Sequence, residues 1–238
     1  MTNSYQNKIY KKIQRRFYHD EFNKNIANYH NFKEKLDILD IGCGNGDLCF
    51  FLSKKFSNSN FYGIDVDKNN IKFAIKRTKL SSKKKKFTFI NKNLEKFKIK
   101  KKFDIVIASG FLGYFTDVNK PLNKMIKLIN PKKGRIFLFG DFNSSGVDKI
   151  VKFRNNNIKG TKKWMDGFSS YSIYTIKKFF LKKKFDLKIV KFKLPKNIGN
   201  FNSDPMRSIS RLLSGCGRIV FNRANLIFEF NTLIFKKR

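Results

Sequence analysis

Apolar residues along this chain fall into two rhythms that alternate. Compact apolar runs at Leu36–Ile41, Asn60–Asp65, Phe87–Asn91, Phe103–Ser109 and Arg135–Gly140 predict buried strands. Between them, apolar positions recur at helical spacing over Asp47–Phe56, Asn69–Leu80 and Val118–Ile129, the last stopping before Asn130-Pro131. Ahead of the first strand, Ile9, Ile13 and Phe17 give a polar stretch from Tyr5 to about Asn28 the spacing of one or two helices. Strands alternating with helices predict an α/β fold with a doubly wound, mainly parallel sheet and helices on both faces. Beyond Asp141 the rhythm changes. Phe142–Ser170 is loop-rich, Ser172–Lys184 reads as a helix capped by Ser172, and Asp186–Leu194 and Leu226–Phe235 read as strands. The stretch Pro195–Asn225 between those strands is too long for a tight hairpin and is expected to be a site-forming insertion. With no repeat and no long linker, residues 1–238 are expected to form a single domain, with insertions at 142–171 and 195–225.

Charge changes the picture less than its size suggests. The 238 residues carry 53 Lys+Arg against 17 Asp+Glu, a net charge of +36. Yet 43 Lys, 26 Asn, 25 Ile and 28 Phe stand against four Ala and four Pro, the signature of A/T-rich codons written onto an ordinary protein. Arg, the better fork for phosphate or base recognition, appears only ten times. The lysine runs Lys83–Lys86, Lys100–Lys102 and Lys182–Lys184 sit beside predicted strand starts or helix ends. Compositional drift is therefore the first reading, and a polyanion surface for RNA or anionic lipid the second. No apolar run approaches the roughly 18 residues a membrane span needs. Three cysteines, few and odd in number, exclude a disulfide scaffold, and the first twenty residues lack a secretory pattern, so a reduced cytoplasmic setting is expected. His19 and His30 have no metal-ligand partners at useful spacing, and no metal is expected.

Candidate chemistry concentrates after the first strand. Ile38-Leu39-Asp40-Ile41 runs into Gly42-Cys43-Gly44-Asn45-Gly46 and then into a predicted helix. Alternate glycines let a backbone turn tightly and a ligand come close, and the helix start behind them offers free N–H groups. Nineteen residues beyond Gly46 the second strand ends at Asp65, placed to accept both hydroxyls of a ribose. The spacing is not that of dinucleotide enzymes, and no Gly-Lys-Ser/Thr follows as in a P-loop.

These residues resemble the class I S-adenosylmethionine (SAM) dependent methyltransferases. Asp40 to Gly46 is similar to their first motif and Gly63-Ile64-Asp65-Val66-Asp67 to their second. Asn93-Leu94 stands where the family often has an Asp contacting the adenine amine. Ser109-Gly110-Phe111-Leu112-Gly113-Tyr114 resembles the segment after strand four, and Asn130-Pro131-Lys132-Lys133-Gly134-Arg135 the turn before strand five. The resemblance covers residues 30–141 closely and 172–235 loosely. It implies a Rossmann-like seven-stranded sheet with the last strand antiparallel, SAM as cofactor, and an N-terminal helical lid over residues 1–30. Two departures stand out: Gly113 replaces a histidine often found after strand four, and Asn93 replaces the adenine-binding Asp. Trp164-x-x-Gly167-Phe168, Ser172-Ile173 and Asp204-Pro205-Met206-Arg207-Ser208 resemble, over short matches, a bacterial group associated with surface-polysaccharide biosynthesis.

The resemblance makes Asp40, Gly42, Cys43, Gly44, Asp65, Val66, Asn93, Leu94 and Ser109 the cofactor-binding candidates. Asp40 is either an organiser of the glycine loop and the cofactor's amino group or a turn-former, and Cys43 is a small packed residue whose backbone meets the cofactor. Asp141, at the carboxyl edge of strand five, is a candidate general base or a loop cap. Tyr114 is a second catalytic candidate, since an aromatic face suits a cationic sulfonium. His19, Trp164 and Arg207 are candidate substrate contacts, each with a plain surface role as the alternative. The expected activity is methyl transfer to oxygen of a small-molecule or sugar acceptor. RNA methylation and non-catalytic SAM binding are the alternatives; no Asn/Asp-Pro-Pro-Tyr/Phe follows strand four, which counts against base amino methylation. The sequence assigns no oligomeric state.

Overall fold

The computed structural model describes residues 16–79, 86–154, 164–195, 197–199, 208–215, 217–222 and 227–238. Five parallel strands come first: β1 (Asp37–Ile41), β2 (Asn60–Asp65), β3 (Phe87–Asn91), β4 (Ile105–Ser109) and β5 (Arg135–Asn143). Short pieces follow, β6 (Lys152–Phe153), β7 (Met165–Asp166) and β8 (Tyr171–Ser172), then β9 (Phe185–Lys191). The chain closes with β10 (Ile209–Leu213), β11 (Gly217–Phe221), β12 (Ile227–Phe228) and β13 (Phe230–Lys237). The main path runs β3-β2-β1-β4-β5-β13-β9, with β8 added at the end of β5. β13 lies antiparallel between β5 and β9, with Leu233 facing Leu138 on one side and Ile189 on the other. This is the expected seven-stranded, doubly wound sheet with its last strand antiparallel.

Helices cover both faces. Side chains alternate along each strand, so Ile38 and Leu39 enter different cores. On one face Ile38, Ile107, Phe137 and Ile234 pack with Phe22, Leu48 and Ile71. Those three belong to α1 (Phe17–Ala27), α2 (Asp47–Leu52) and α3 (Lys68–Lys79). On the other, Leu39, Val106, Leu138 and Phe235 pack with Leu122 and Phe180. These come from α4 (Asn119–Leu128) and α5 (Ile173–Leu181). Phe180 stacks on Phe235 at 3.8 Å between centroids, anchoring α5 to the sheet. α5 starts where expected, because Ser172 Oγ accepts the Thr175 N–H at 3.1 Å. Asp67 caps α3 in the same way, accepting from Asn69 and Asn70.

Several element boundaries differ from expectation. The helix predicted over Asp47–Phe56 ends at Leu52, and its last residues form turns. Of the N-terminal helical stretch, residues 5–15 lie outside the described residues, and α1 begins at Phe17. β5 runs on past Gly140 to Asn143, because Asp141 pairs with Phe230 and Phe142 with Tyr171. The final strand is broken at Glu229: Ile227–Phe228 pairs with β11, and β13 starts at Phe230. The first insertion contains the antiparallel pair β6 and β7, and the second contains β10 and β11, which form a three-stranded sheet with β12 just beyond it.

Candidate active site

A cavity of about 850 Å³ opens at the carboxyl ends of the parallel strands, where the strand order reverses between β1 and β4. Its first wall comes from the glycine loop, the end of β2, the turn after β3 and the end of β4. Ile41, Gly42, Gly44, Asp65, Val66, Asn93, Leu94 and Ser109 all line it.

The loop holds its shape through backbone bonds into β2. The Gly42 and Cys43 N–H groups both donate to the Ile64 carbonyl, at 2.8 and 3.1 Å. Gly42 has φ of +72°, and a Cβ there would meet the Phe111 ring at 2.8 Å. Only glycine satisfies both demands. The loop's far end is clamped by Arg77, whose Nη1 donates to the Asn45 carbonyl at 3.0 Å and to Asp47 Oδ1 at 2.7 Å. Its guanidinium also lies 4.2 Å from the Phe50 ring centroid.

Asp65 ties the loop to the strand end. Its Oδ2 accepts the Gly44 N–H at 2.9 Å and its Oδ1 the Asp67 N–H at 2.8 Å. Burial pushes its carboxyl above the usual range, and those two N–H donors work against the rise. Each oxygen keeps a lone pair for a further donor.

Two cofactor candidates do not reach the cavity. Asp40 is the penultimate residue of β1, between Gly63 and Ile107, and period-2 alternation turns it beneath α2. It is 3% exposed, and Cys49 Sγ donates to its Oδ2 at 3.8 Å. Burial, with the Asp65 charge adding to it, pushes its carboxyl up to about 8. Asp40 therefore sits beneath the loop, outside the cavity lining. Cys43 turns its thiol into the core toward Gly63, where a Cβ would come within 2.7 Å of Sγ. Its N–H is spent on Ile64, so neither its side chain nor its amide faces the cavity.

The second wall is built from the end of β5, the insertions and the start of α1. Asp141 lines it, with Oδ1 accepting the Glu229 N–H at 2.7 Å. Its Oδ2 is buried with no hydrogen-bond partner. Burial raises the Asp141 pKa, against the opposing Glu229 N–H and the nearby Ser170 hydroxyl. Tyr114 lines the cavity from a short 3-10 turn, Leu112–Tyr114, with Phe168 facing it at 6.1 Å. The Ser169 N–H donates to the Gly113 carbonyl at 3.0 Å, and a Cβ at Gly113 would stand 3.0 Å from the Ser169 carbonyl. A histidine at position 113 would crowd this junction. Phe168 itself has φ of +61°, a costly conformation for a bulky residue, held by bonds on both sides.

The three substrate candidates fare differently. His19 is 1% exposed and packs on Phe51 at 5.2 Å. Its Nδ1 accepts the Arg16 N–H at the start of α1. One residue earlier, Tyr18 lines the cavity and stacks on Phe139 at 4.9 Å, while His19 is turned toward Phe51 of α2. Trp164 is 64% exposed, carries the Arg154 guanidinium at 5.5 Å, and lies outside the cavity lining. Arg207 lies outside the described residues.

Several lining residues had no assignment from sequence. Asp67 keeps Oδ2 buried and without a hydrogen-bond partner beside Asp65, and its place in the second motif is the signal that could have found it. Tyr18, Phe139, Phe192 and Phe230 form the rim of the second wall. In a chain with 28 Phe, nothing local sets those rings apart from core.

Comparison with known proteins agrees with this geometry. Residues 32–172 match a family described as a methyltransferase domain, and the chain belongs to that family. Among curated relatives, the malonyl-[acyl-carrier protein] O-methyltransferase of Priestia megaterium is 25% identical over 128 residues, 54% of this chain and 44% of that one. The ubiquinone biosynthesis O-methyltransferase of Rickettsia akari is 28% identical over 108 residues, covering 45% and 41%. The chain thus matches less than half the length of these relatives. Among solved structures, the magnesium protoporphyrin IX methyltransferase of Synechocystis PCC 6803 with bound SAH superimposes with a TM-score of 0.62. That match has 14% identity and covers 98% of this chain and 93% of that one, a likeness of fold. Among the described residues no helix is long and apolar enough to cross a membrane.

Proposed function

We propose that this chain is a SAM-dependent methyltransferase that acts on a hydroxyl of a small-molecule or sugar acceptor. The observation that carries the reading is one continuous cavity lined by the glycine loop and Asp65 on one side and by Asp141 on the other. The first wall fits the cofactor. Gly42 and Gly44 line the cavity at positive φ, where a side chain is disfavoured, and Asp65 has acceptor capacity for ribose hydroxyls. Val66, Asn93 and Leu94 line the cavity where the base would lie, and Ser109 where the amino-acid end would. SAM, when bound, supplies a methyl group on a cationic sulfur that departs as a neutral thioether.

The chain's own residues supply position and a proton acceptor. Alignment of two reactants in one cavity is worth about 7–11 kcal/mol. Tyr18 of α1 covers the cavity and limits water. The Asp141 carboxylate, at the cavity wall, takes the proton of the acceptor hydroxyl, and burial raises its pKa toward the working pH. Tyr114, which lines the cavity beside Phe168, helps hold the acceptor and is not needed for the proton.

The relatives named as O-methyltransferases support oxygen as the methylated atom. The resemblance to the surface-polysaccharide group rests partly on residues 204–207, outside the described residues, and on Trp164, outside the cavity. The reading is tested with methyl-labelled SAM and a host lysate fractionated into RNA, protein, glycan and small-molecule pools. Label in the small-molecule or glycan pool, lost in Asp65→Asn, is expected. Label in RNA instead would make the +36 charge functional and overturn the reading.

A further inference from the structure

Drift toward lysine does not explain where the arginines stand. Residues 142–171 and 195–225, about a quarter of the chain, hold five of the ten Arg but only six of the 43 Lys. The guanidinium is the better fork for a phosphate, so the charge of these two insertions is of a kind that drift does not supply. The insertions also carry exposed apolar side chains. Val147, Ile150 and Trp164 are exposed in the first, Leu212 and Leu213 in the second, and Ile227 just beyond it on β12.

Leu212 and Leu213 are consecutive in β10 and point to opposite faces, yet they are 66% and 47% exposed. The end of the β10–β11 pair, where Leu213 stands opposite Gly217, is therefore open on both sides. On the face of Leu213, Ile209 lies opposite Phe221 and Phe221 opposite Ile227, with Arg211 opposite Ile219. On the face of Leu212, Ser210, Val220 and Phe228 are buried, and Leu212 projects past what covers them. Cations stand among these side chains. The Arg154 guanidinium lies 5.5 Å from the Trp164 ring centroid. Arg218 spends its donors on neutral oxygens, Asn197 Oδ1 at 2.9 Å and the Leu194 carbonyl, which leave its charge in place. Both insertions end on the cavity: Phe168 and Ser169 line it just after Trp164, and Ser208 and Phe228 line it at either end of the small sheet.

We propose that these insertions seat the chain on an anionic phospholipid bilayer, with Trp164, Leu212, Leu213 and Ile227 entering the interface and Arg154, Arg211 and Arg218 meeting lipid phosphates. A protein partner covers one face of a strand end, whereas lipid closes around both, as the opposed Leu212 and Leu213 require. RNA would match the arginines but gains nothing from Leu and Ile, which offer no ring for a base to stack on. Trp164, with an apolar body and a polar tip, suits the headgroup boundary. Anionic headgroups complement a surface whose charge is positive, and they hold such cations only within about a Debye length.

Trp164 is the only tryptophan in the chain, so the unaltered protein reports its own docking. Emission is recorded with phosphatidylcholine vesicles that contain or lack phosphatidylglycerol, and binding is read by co-sedimentation. With phosphatidylglycerol the emission should shift to the blue and acrylamide quenching should fall; with phosphatidylcholine alone neither should change. Leu212→Ser combined with Leu213→Ser keeps every charge and should weaken vesicle binding by about tenfold. Lys182→Gln combined with Lys183→Gln removes two charges just before β9, at the edge of the sheet opposite the cavity, and should weaken it by less than about twofold. Co-sedimentation without any change in Trp164 emission, or a greater loss from the lysine pair than from the leucine pair, would show that the +36 charge binds vesicles elsewhere and overturns the proposal. No binding to phosphatidylglycerol vesicles overturns it as well, and so does polyuridylate that shifts Trp164 and displaces the vesicles. If the leucine variant fails to fold, the emission of the unaltered chain decides alone. SAM is absent throughout, so the outcome is separate from that of the methyl-transfer reading.

Discussion

Replacing Asp40 with Asn should change how the stability of this protein depends on pH. Asp40 is fully enclosed beneath the glycine loop, with a folded-state pKa pushed from 3.8 to about 8 by burial and by the Asp65 charge. The folded chain thus holds a proton on this group that the unfolded chain releases. Stability due to the group is complete below about pH 4 and is lost as pH rises through about 8. Carrying a carboxyl from 3.8 to about 8 corresponds to about 6 kcal/mol between its two protonation states. Structural relaxation and water entry reduce that figure. A third of it, about 2 kcal/mol, still moves Tm by roughly 4–8 °C in a chain of this size. Asn keeps the shape and the acceptor for the Cys49 thiol but does not titrate. Urea unfolding of both proteins, ligand-free and at constant ionic strength from pH 5 to pH 9, gives the difference directly. The variant should gain on the wild type steadily between pH 5 and pH 8, then run parallel to it. A difference that stays constant over the whole range would refute the burial of a proton on Asp40.

Three further outcomes follow from the same geometry. Asp65→Asn removes the charge that accepts the Gly44 and Asp67 N–H groups and should weaken SAH binding by about 10- to 100-fold, the worth of one charged hydrogen bond; calorimetry showing a change under twofold would contradict the role. Arg77→Leu removes the ion pair to Asp47 in a site where the two side chains are 13% and 10% exposed, at a cost of about 3–5 kcal/mol in urea unfolding. Phe180→Ala empties the stack on Phe235 and should cost about 3–5 kcal/mol with an unchanged urea slope, whereas a cost under 1 kcal/mol would mean that α5 is not held by this contact.

The strands of the main sheet and the glycine loop are legible in sequence because each is a local signal. Apolar runs mark buried strands, and alternate glycines mark a turn that only glycine can make. What escaped the sequence depends on contacts between distant segments. Gly140 reads as a strand end, yet Phe230 and Tyr171 extend β5 by pairing with Asp141 and Phe142. Asp40 and Asp65 are both acids near strand ends, and only the register of β1 between β2 and β4 turns one under the loop and the other into the cavity. Tyr18 and His19 are neighbours with similar amphipathic character, and the docking of α1 decides which faces the ligand. Phe192 and Phe230 look like every other Phe in a Phe-rich chain until β9 and β13 bring them to Phe139.

The two walls of the cavity also divide the gene. One is encoded by a single stretch, residues 41–115, while the other comes from residue 139 onward together with the start of α1. Between them lies α4, which packs on the opposite core and lines no part of the cavity. A crossover within α4 would therefore replace nearly the whole of one wall and leave the other intact. Such a chimera changes what the cavity selects without touching the glycine loop, so recombination at this point is a short evolutionary route to new acceptors.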